Sequence, residues 1–65
     1  MPSSVVARFN YSPIKLVLRI TYTSGAVYEY IDVPGDVYNA MKEAFSKGAF
    51  LNIEIKGKYK FRKIK

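Results

Sequence analysis

The last twenty residues of the chain combine cationic and aromatic side chains at a spacing suited to binding nucleic acid. They hold seven cations against the single acid Glu54, which accounts for the whole formal charge of +6. The candidate binding residues are Lys56, Lys58, Tyr59, Lys60, Phe61, Arg62, Lys63 and Lys65. In an extended segment, alternate cations can follow phosphates while the rings anchor the strand or stack on bases. The pattern predicts nucleic-acid binding, with RNA favoured and little sequence preference, because lysines position a backbone and read few base edges.

The first 45 residues are electrically balanced. Their four cations are Arg8, Lys15, Arg19 and Lys42, and their four acids are Glu29, Asp32, Asp36 and Glu43. We therefore expect the positive potential to lie along a single flank of an otherwise neutral scaffold. The same lysines would also suit a solvated edge strand that resists edge-to-edge aggregation.

Catalysis is not predicted. The chain has no histidine and no cysteine, so the commonest general base and the thiol nucleophile are missing. Its four glycines are isolated and form no phosphate-binding loop. We expect no metal, no cofactor and no small-molecule substrate.

The 65 residues are expected to form one domain, spanning residues 1–65, because no linker or repeat interrupts them. No apolar run approaches the roughly 18 residues that span a bilayer, and no leader pattern is evident at the amino terminus. We expect a soluble cytoplasmic protein.

Three strands are expected in the first half of the chain, over residues 5–11, 15–23 and 26–33. In the first strand, Val5, Ala7, Phe9 and Tyr11 should share the inward face. A three-residue loop, with Gly25 in a left-handed conformation, joins the second and third strands. It places Tyr28 opposite Ile20, Tyr30 opposite Leu18, and Glu29 opposite Arg19. A two-residue loop would instead put the Glu29 carboxylate among apolar side chains.

A helix is predicted from about Pro34 to Lys47, ended by Gly48. Its apolar stripe, Val37, Met41, Ala44 and Phe45, should cover Tyr28 and Tyr30, so both tyrosines are interpreted as core residues. Beyond Gly48 two structures remain open. Alternation of Leu51, Ile53 and Ile55 favours a hairpin, whereas a Ser46 cap favours a second short helix with Ile53 exposed. The predicted fold is α+β: a small antiparallel sheet of three N-terminal strands and a C-terminal strand, covered by one helix, with this second helix or hairpin before the last strand.

The chain resembles the KTSC family, small domains found at the carboxyl end of some lysyl-tRNA synthetases and as stand-alone bacterial proteins. The residues that carry the resemblance most specifically are Tyr28, Tyr30, Val33, Pro34, Ser46, Gly48 and Asn52. The resemblance implies a shared fold and favours the second helix over residues 47–56. For its members, RNA binding is a common suggestion. The motif residues are interpreted as structural.

A protein-interaction role is the alternative function. In the expected register, Val17, Thr21, Val27 and Ile31 surround the Arg19–Glu29 pair on the outer face of the sheet. Such a surface is more apolar than a bare sheet face requires, and it predicts contact with a partner protein or a homodimer.

Overall fold

The computed structural model describes residues 5–65, which form a four-stranded antiparallel sheet with helices on one side. The strands are β1 (Val6–Ser12), β2 (Val17–Tyr22), β3 (Val27–Tyr30) and β4 (Phe61–Lys63), paired in the order β1-β2-β3-β4. Helix α1 spans Gly35–Glu43, and the short helix α2 (Lys47–Phe50) continues directly into a π-helical turn, Leu51–Ile55. The α+β fold expected from the sequence is confirmed.

The core lies between the helices and one face of the sheet, called the inner face. Its buried residues are Leu18, Ile20, Tyr30, Val33, Met41, Leu51 and Ile55. The strand members of this set come from β2 and β3, whereas Met41 comes from α1 and Leu51 from the π-helical turn. The helices therefore cover the inner face. Within residues 5–65, no element packs on the opposite, outer face.

The β2–β3 register is the predicted one. Tyr28 pairs with Ile20, Tyr30 with Leu18, and Glu29 with Arg19. The Gly25 amide donates to the Tyr22 carbonyl at 2.9 Å, and Gly25 has a φ of +96°, which glycine adopts without the steric cost of a side chain. The three-residue loop is thereby confirmed.

The β1–β2 pair differs from expectation near the start of each strand. A bulge between Val6 and Arg8 shifts the alternation, so Val6 packs against the core while Val5 and Ala7 are exposed. Strand β2 begins at Val17 rather than Lys15, because Leu16 has a positive φ of 58° and closes the preceding turn through a bond to the Ser12 carbonyl.

Helix α1 is shorter than predicted. It ends at Glu43, where Ala44 adopts an extended conformation, and the following Phe45 ring is 87% exposed. The expectation that Phe45 belongs to the inward stripe is wrong, since the stripe requires a helical turn that the chain does not make. The Lys47 ammonium donates to the carbonyls of Lys42 and Ala44, which satisfies acceptors left free at the helix end.

The segment after Gly48 is helical, so the hairpin that periodicity favoured is wrong and the second helix is confirmed. Ser46 caps it, with its Oγ accepting from the Ala49 amide at 3.2 Å. The Lys56 amide donates to the Leu51 carbonyl at 2.8 Å, the five-residue bond of a π-helix. This turn buries Leu51 and Ile55 completely and leaves Ile53 66% exposed.

Candidate nucleic-acid interface

A row of polar side chains crosses the whole sheet on its outer face. Strand pairing aligns Asn10 with Arg19, Arg19 with Glu29, and Glu29 with Arg62, one residue from each strand. Because neighbours along a strand point to opposite faces, all four lie opposite the buried residues of the inner face. Arg8 of β1, two residues before Asn10, occupies the same face.

Glu29 lies between the two arginines of this row. Its carboxylate oxygens meet Arg19 Nη2 at 2.6 Å and Arg62 Nη2 at 2.8 Å. Both arginine side chains stay more than half exposed, whereas that of Glu29 is only 12% exposed. The hydrogen bond from Arg19, aided by the one from Arg62, lowers the pKa of Glu29 below its ordinary value. The carboxylate is therefore ionised at neutral pH, and it holds two guanidinium groups in fixed positions.

Two shallow depressions of about 430 Å³ each run along the outer face and share Asn10 and Arg19. We call them together the outer groove. Its charged lining residues are Arg8, Lys15, Arg19, Arg62 and Lys65, with Glu29 as the acid. Five cations against one acid leave the groove at +4. Asp36 and Glu43, two of the four acids that balance the charge of the first 45 residues, lie on α1, which packs on the inner face.

The candidate residues at the carboxyl end do not form a single flank. Strand β4 turns Arg62 to the outer face, opposite Glu29, and turns Phe61 and Lys63 to the inner face, opposite Tyr30 and Tyr28. Lys60 and Lys65 are exposed, and their carbonyls accept the amides of Ile31 and Val27, whereas Lys56 ends the π-helical turn. Lys58 forms an ion pair with Glu54 at 3.4 Å, and Tyr59 packs against the core. The basic residues thus line both surfaces of the edge strand.

On the inner face, four aromatic rings cluster at the border of the core. Tyr28 is central: its ring centroid lies 5.4 Å from those of Tyr22 and Phe61, and 6.4 Å from that of Tyr30. The Tyr22 and Tyr30 hydroxyls share a hydrogen bond of 3.0 Å. Burial, with this hydrogen bond, raises the pKa of Tyr22, so the phenol is neutral at physiological pH.

These rings border a pocket of about 440 Å³, which we call the tyrosine pocket. Its lining residues are Tyr22, Ser24, Ala26, Tyr28, Tyr30, Lys56, Gly57 and Phe61. The Lys56 ammonium lies 5.5 Å from the centroid of the Tyr22 ring, in cation–π contact. Tyr30 is a core residue, as predicted, with 2% exposure. Tyr28 packs against the core but is half-buried, and its ring also borders the pocket.

Of the other motif residues, Val33, Ser46 and Gly48 make contacts or are buried within the fold. Val33 is buried, and its carbonyl accepts the Tyr11 hydroxyl at 2.6 Å. Pro34 immediately precedes α1, Ser46 caps α2, and Gly48 is buried within it. Asn52 is exposed on the π-helical turn.

Three cations of the outer groove were not among the predicted nucleic-acid-binding residues: Arg8, Lys15 and Arg19. Arg19 was predicted only as the ion-pair partner of Glu29. Alternation in the first two strands already placed these cations opposite the apolar residues. Counting charge along the chain concealed them, because only one of the four acids that balance them in sequence, Glu29, lines the groove. Within residues 5–65, no group of acidic side chains could hold a metal ion, and no helix has the length and apolarity to cross a membrane.

The fold and the two surfaces define a small α+β domain with a cationic sheet face and an aromatic pocket. The model of the KTSC domain matches residues 2–59, and the chain belongs to this family. The match ends before β4, so residues 60–65 lie beyond it.

Relatives include proteins of very different length. A lysine–tRNA ligase of Nostoc punctiforme is 43% identical over 94% of this chain, but the match spans only 11% of that enzyme. A protein of Tsukamurella paurometabola is 33% identical, and the match covers 89% of this chain and 87% of that one. Among solved structures, a KTSC domain protein from Yersinia pestis aligns with a TM-score of 0.83 at 34% identity, covering all of this chain and 94% of the other.

Proposed function

We propose that this domain is a non-enzymatic RNA-binding module whose outer groove contacts the phosphate backbone. The observation that carries the proposal is the lining of the groove, five cations against one acid on a sheet face that no other described element covers. Guanidinium groups bind phosphate oxygens through paired N–H donors, and Arg8, Arg19 and Arg62 come from three different strands. The groove can therefore contact several phosphates across the width of the sheet as well as along its strands.

Backbone contacts alone predict low sequence preference. Transfer RNA is the natural first ligand to test, because the Nostoc punctiforme relative is a lysine–tRNA ligase. The match covers 11% of that enzyme, so binding of transfer RNA by this chain is itself part of the proposal.

A titration at several ionic strengths tests the proposal, with transfer RNA, single-stranded RNA and duplex DNA as ligands. Four to six phosphate contacts give a slope of log K against log salt of about −3 to −5. The double variant Arg8→Gln/Lys15→Gln removes two groove cations that make no ion pair with a described residue. It should flatten the slope by about 0.7 to 0.9 for each lost contact.

The matched control is Lys42→Gln/Lys58→Gln, which lowers the net charge equally but changes residues outside the outer groove. Lys58, a binding candidate from the sequence, is paired with Glu54 in the structure. The slope of this control should match that of the wild type. If both double variants flatten the slope alike, only the total charge matters and the groove is not the site. If none of the three nucleic acids binds at low salt, the proposal is wrong.

The alternative of a protein-interaction domain or homodimer uses the same outer face. Val17, Val27 and Ile31 are half-buried there, around the charged row. This role predicts association that depends little on salt and a mass in light scattering that rises with protein concentration. If such association is observed and no nucleic acid binds, the interaction role is favoured and the RNA proposal is wrong.

A further inference from the structure

The tyrosine pocket lies on the surface opposite the outer groove and takes no part in the phosphate contacts proposed above. Its volume of about 440 Å³ falls within the range typical of small-molecule sites, about 300–1,000 Å³. Four aromatic side chains, the hydrogen-bonded hydroxyl pair of Tyr22 and Tyr30, and one ammonium group line it. Apolar walls with few convergent polar groups are the usual composition of a ligand site.

The charges around the pocket restrict the class of ligand. Lys56 is the charged residue of the lining, no acid lines the pocket, and Lys63 is the cross-strand partner of Tyr28. A cationic ligand, which aromatic cages otherwise attract, would be repelled by these ammonium groups. A ligand with a flat aromatic part and an attached anion satisfies both the rings and the lysines.

We propose that the tyrosine pocket binds one nucleotide, with the base stacked on the Phe61 ring and the phosphate beside Lys56. The nucleotide has two possible sources with the same chemistry: an unstacked residue of an RNA strand, or a free mononucleotide. The first source rests on the proposed RNA-binding function, and the second does not.

The ring geometry favours stacking on one open face. The Tyr28 and Phe61 centroids are 5.4 Å apart and their planes are tilted by 41°, so the rings already touch and leave no gap for a base between them. Phe61 is 57% exposed and is one of the lining residues of the pocket. Stacking of a base on such a ring contributes about 1–3 kcal/mol.

The hydroxyl pair can recognise the edge of the base. The bond between Tyr22 and Tyr30 uses one of their two protons, which leaves the other free to donate. Ser24 and Tyr28 add two further hydroxyl groups to the lining. Hydroxyl groups can pair with carbonyl or ring-nitrogen acceptors of a base.

The pocket and the groove meet at the edge strand. Phe61 and Arg62 are consecutive residues of β4, and they face the pocket and the groove respectively. An RNA strand that lies in the outer groove can cross this edge and place one base against Phe61. Phosphate binding and base stacking would then occur on opposite faces of the three-residue strand β4.

A titration with mononucleotides tests the pocket independently of RNA. In an NMR titration, UMP and AMP are added at up to several millimolar to the isotope-labelled protein. Ribose 5-phosphate, which lacks a base, is the control. The amide resonances of Ser24, Ala26 and Gly57 should shift with the nucleotides and not with the control. Equal shifts with ribose 5-phosphate, or no shifts at these amides, would overturn the proposal.

Phe61→Leu removes the ring but keeps an apolar side chain on the exposed strand. It should weaken binding of UMP by about 5-fold to 150-fold, the equivalent of one stacked base. If an RNA strand supplies the base, RNA affinity falls similarly at every salt concentration and the salt slope is unchanged, because no charge is lost. Wild-type affinity of this variant for UMP and RNA alike would refute the pocket.

The matched control is Arg62→Gln, which should flatten the salt slope for RNA and leave UMP binding intact. Binding of UMP without binding of RNA would refute the outer groove and support the pocket with a free nucleotide as its ligand. Lys56→Gln, at an exposed position, serves if Phe61→Leu does not fold. It should abolish the preference for UMP over uridine, and an unchanged preference would place the phosphate elsewhere.

Discussion

Adjacent residues of β2 meet opposite environments on the two faces of the sheet. Ile20 is completely buried beneath the helices, whereas the Arg19 side chain is 52% exposed on the outer face. On the inner face, apolar packing holds the helices to the sheet, and aromatic rings continue beyond them. On the outer face, ion pairs fix the direction of guanidinium groups without covering them. The comparison shows that the apolar core lies on the inner face and that the described helices leave the outer face uncovered.

The largest effect expected from this comparison is on stability. Ile20→Ala should lower the free energy of unfolding by about 2–5 kcal/mol, because the cavity forms where the helices meet the sheet. Thr21→Ala, at the next position but on the outer face, should cost no more than about 1 kcal/mol. Chemical denaturation of both variants measures the difference. Similar losses in the two variants would show that the outer face is also part of a packed interface.

The loop that sets the register should be the next most sensitive feature. Gly25→Ala forces a side chain into a φ of +96°, at a cost of about 1–2 kcal/mol. A register slip of one residue would exchange the two faces of β3, so this glycine protects their separation. Thermal unfolding measures the loss.

Gly35→Ala is the control for this loop variant. Gly35 begins α1, and an added Cβ would lie 3.9 Å from the Tyr11 hydroxyl, an ordinary contact distance. Since alanine favours a helix, Gly35→Ala should be neutral or slightly stabilising. Equal destabilisation of the two variants would mean that backbone conformation at Gly25 does not control the register.

The register of the β2–β3 hairpin could be predicted from the sequence, because Glu29 distinguished between the two possible registers. Only the three-residue loop keeps the Glu29 carboxylate away from apolar side chains, and the ion pair with Arg19 is present. The second contact, with Arg62, could not be predicted, since it joins residues 33 positions apart whose pairing depends on where β4 returns.

The segment after Gly48 shows the limit of pattern analysis. Leu51, Ile53 and Ile55 alternate as in a strand, but a five-residue turn buries the first and last and exposes the middle one. Packing against the sheet determines whether this segment is a strand or a helical turn. Periodicity alone cannot distinguish the two. The same reason explains the bulge near Ala7 and the exposure of Phe45.

The candidate site was predictable in composition but not in arrangement. The basic, aromatic character of the carboxyl end led to Phe61 and Arg62, but alternation along β4 sends them to different surfaces. The outer groove also needs Arg8 and Lys15, whose charges are balanced along the chain by four acids, of which only Glu29 lines the groove. Three-dimensional pairing of strands creates this cluster.

Lowering the pH should remove the stabilising contribution of Glu29 on the outer face. The pKa of Glu29 is lowered in the folded protein, so its ion pairs stabilise the fold above the ordinary carboxyl pKa, and this contribution is lost as the pH falls through the folded value. Glu29→Gln removes the contribution at every pH. The difference in Tm between wild type and variant should therefore be largest near neutral pH and should shrink below about pH 4.5. A difference independent of pH would show that Glu29 acts through packing.

Glu29→Gln should also change RNA binding, in the direction opposite to its effect on stability. In the wild type, the carboxylate partly neutralises Arg19 and Arg62, and any phosphate must compete with it for their N–H groups. Removing the negative charge raises the net charge of the groove from +4 to +5. If one or two further phosphates are then contacted, the salt slope on single-stranded RNA steepens by about 0.7 to 1.4.

The competing effect is loss of order, because Glu29 also fixes the positions of the two guanidinium groups. The two contributions can be separated by ionic strength: the gain from charge declines as salt rises, whereas a loss of order remains at every salt concentration. Tighter binding at low salt that converges on the wild type at high salt is the expected result. Weaker binding at all salt concentrations would mean that Glu29 organises the groove and that the fixed spacing of Arg19 and Arg62 matters more than their net charge.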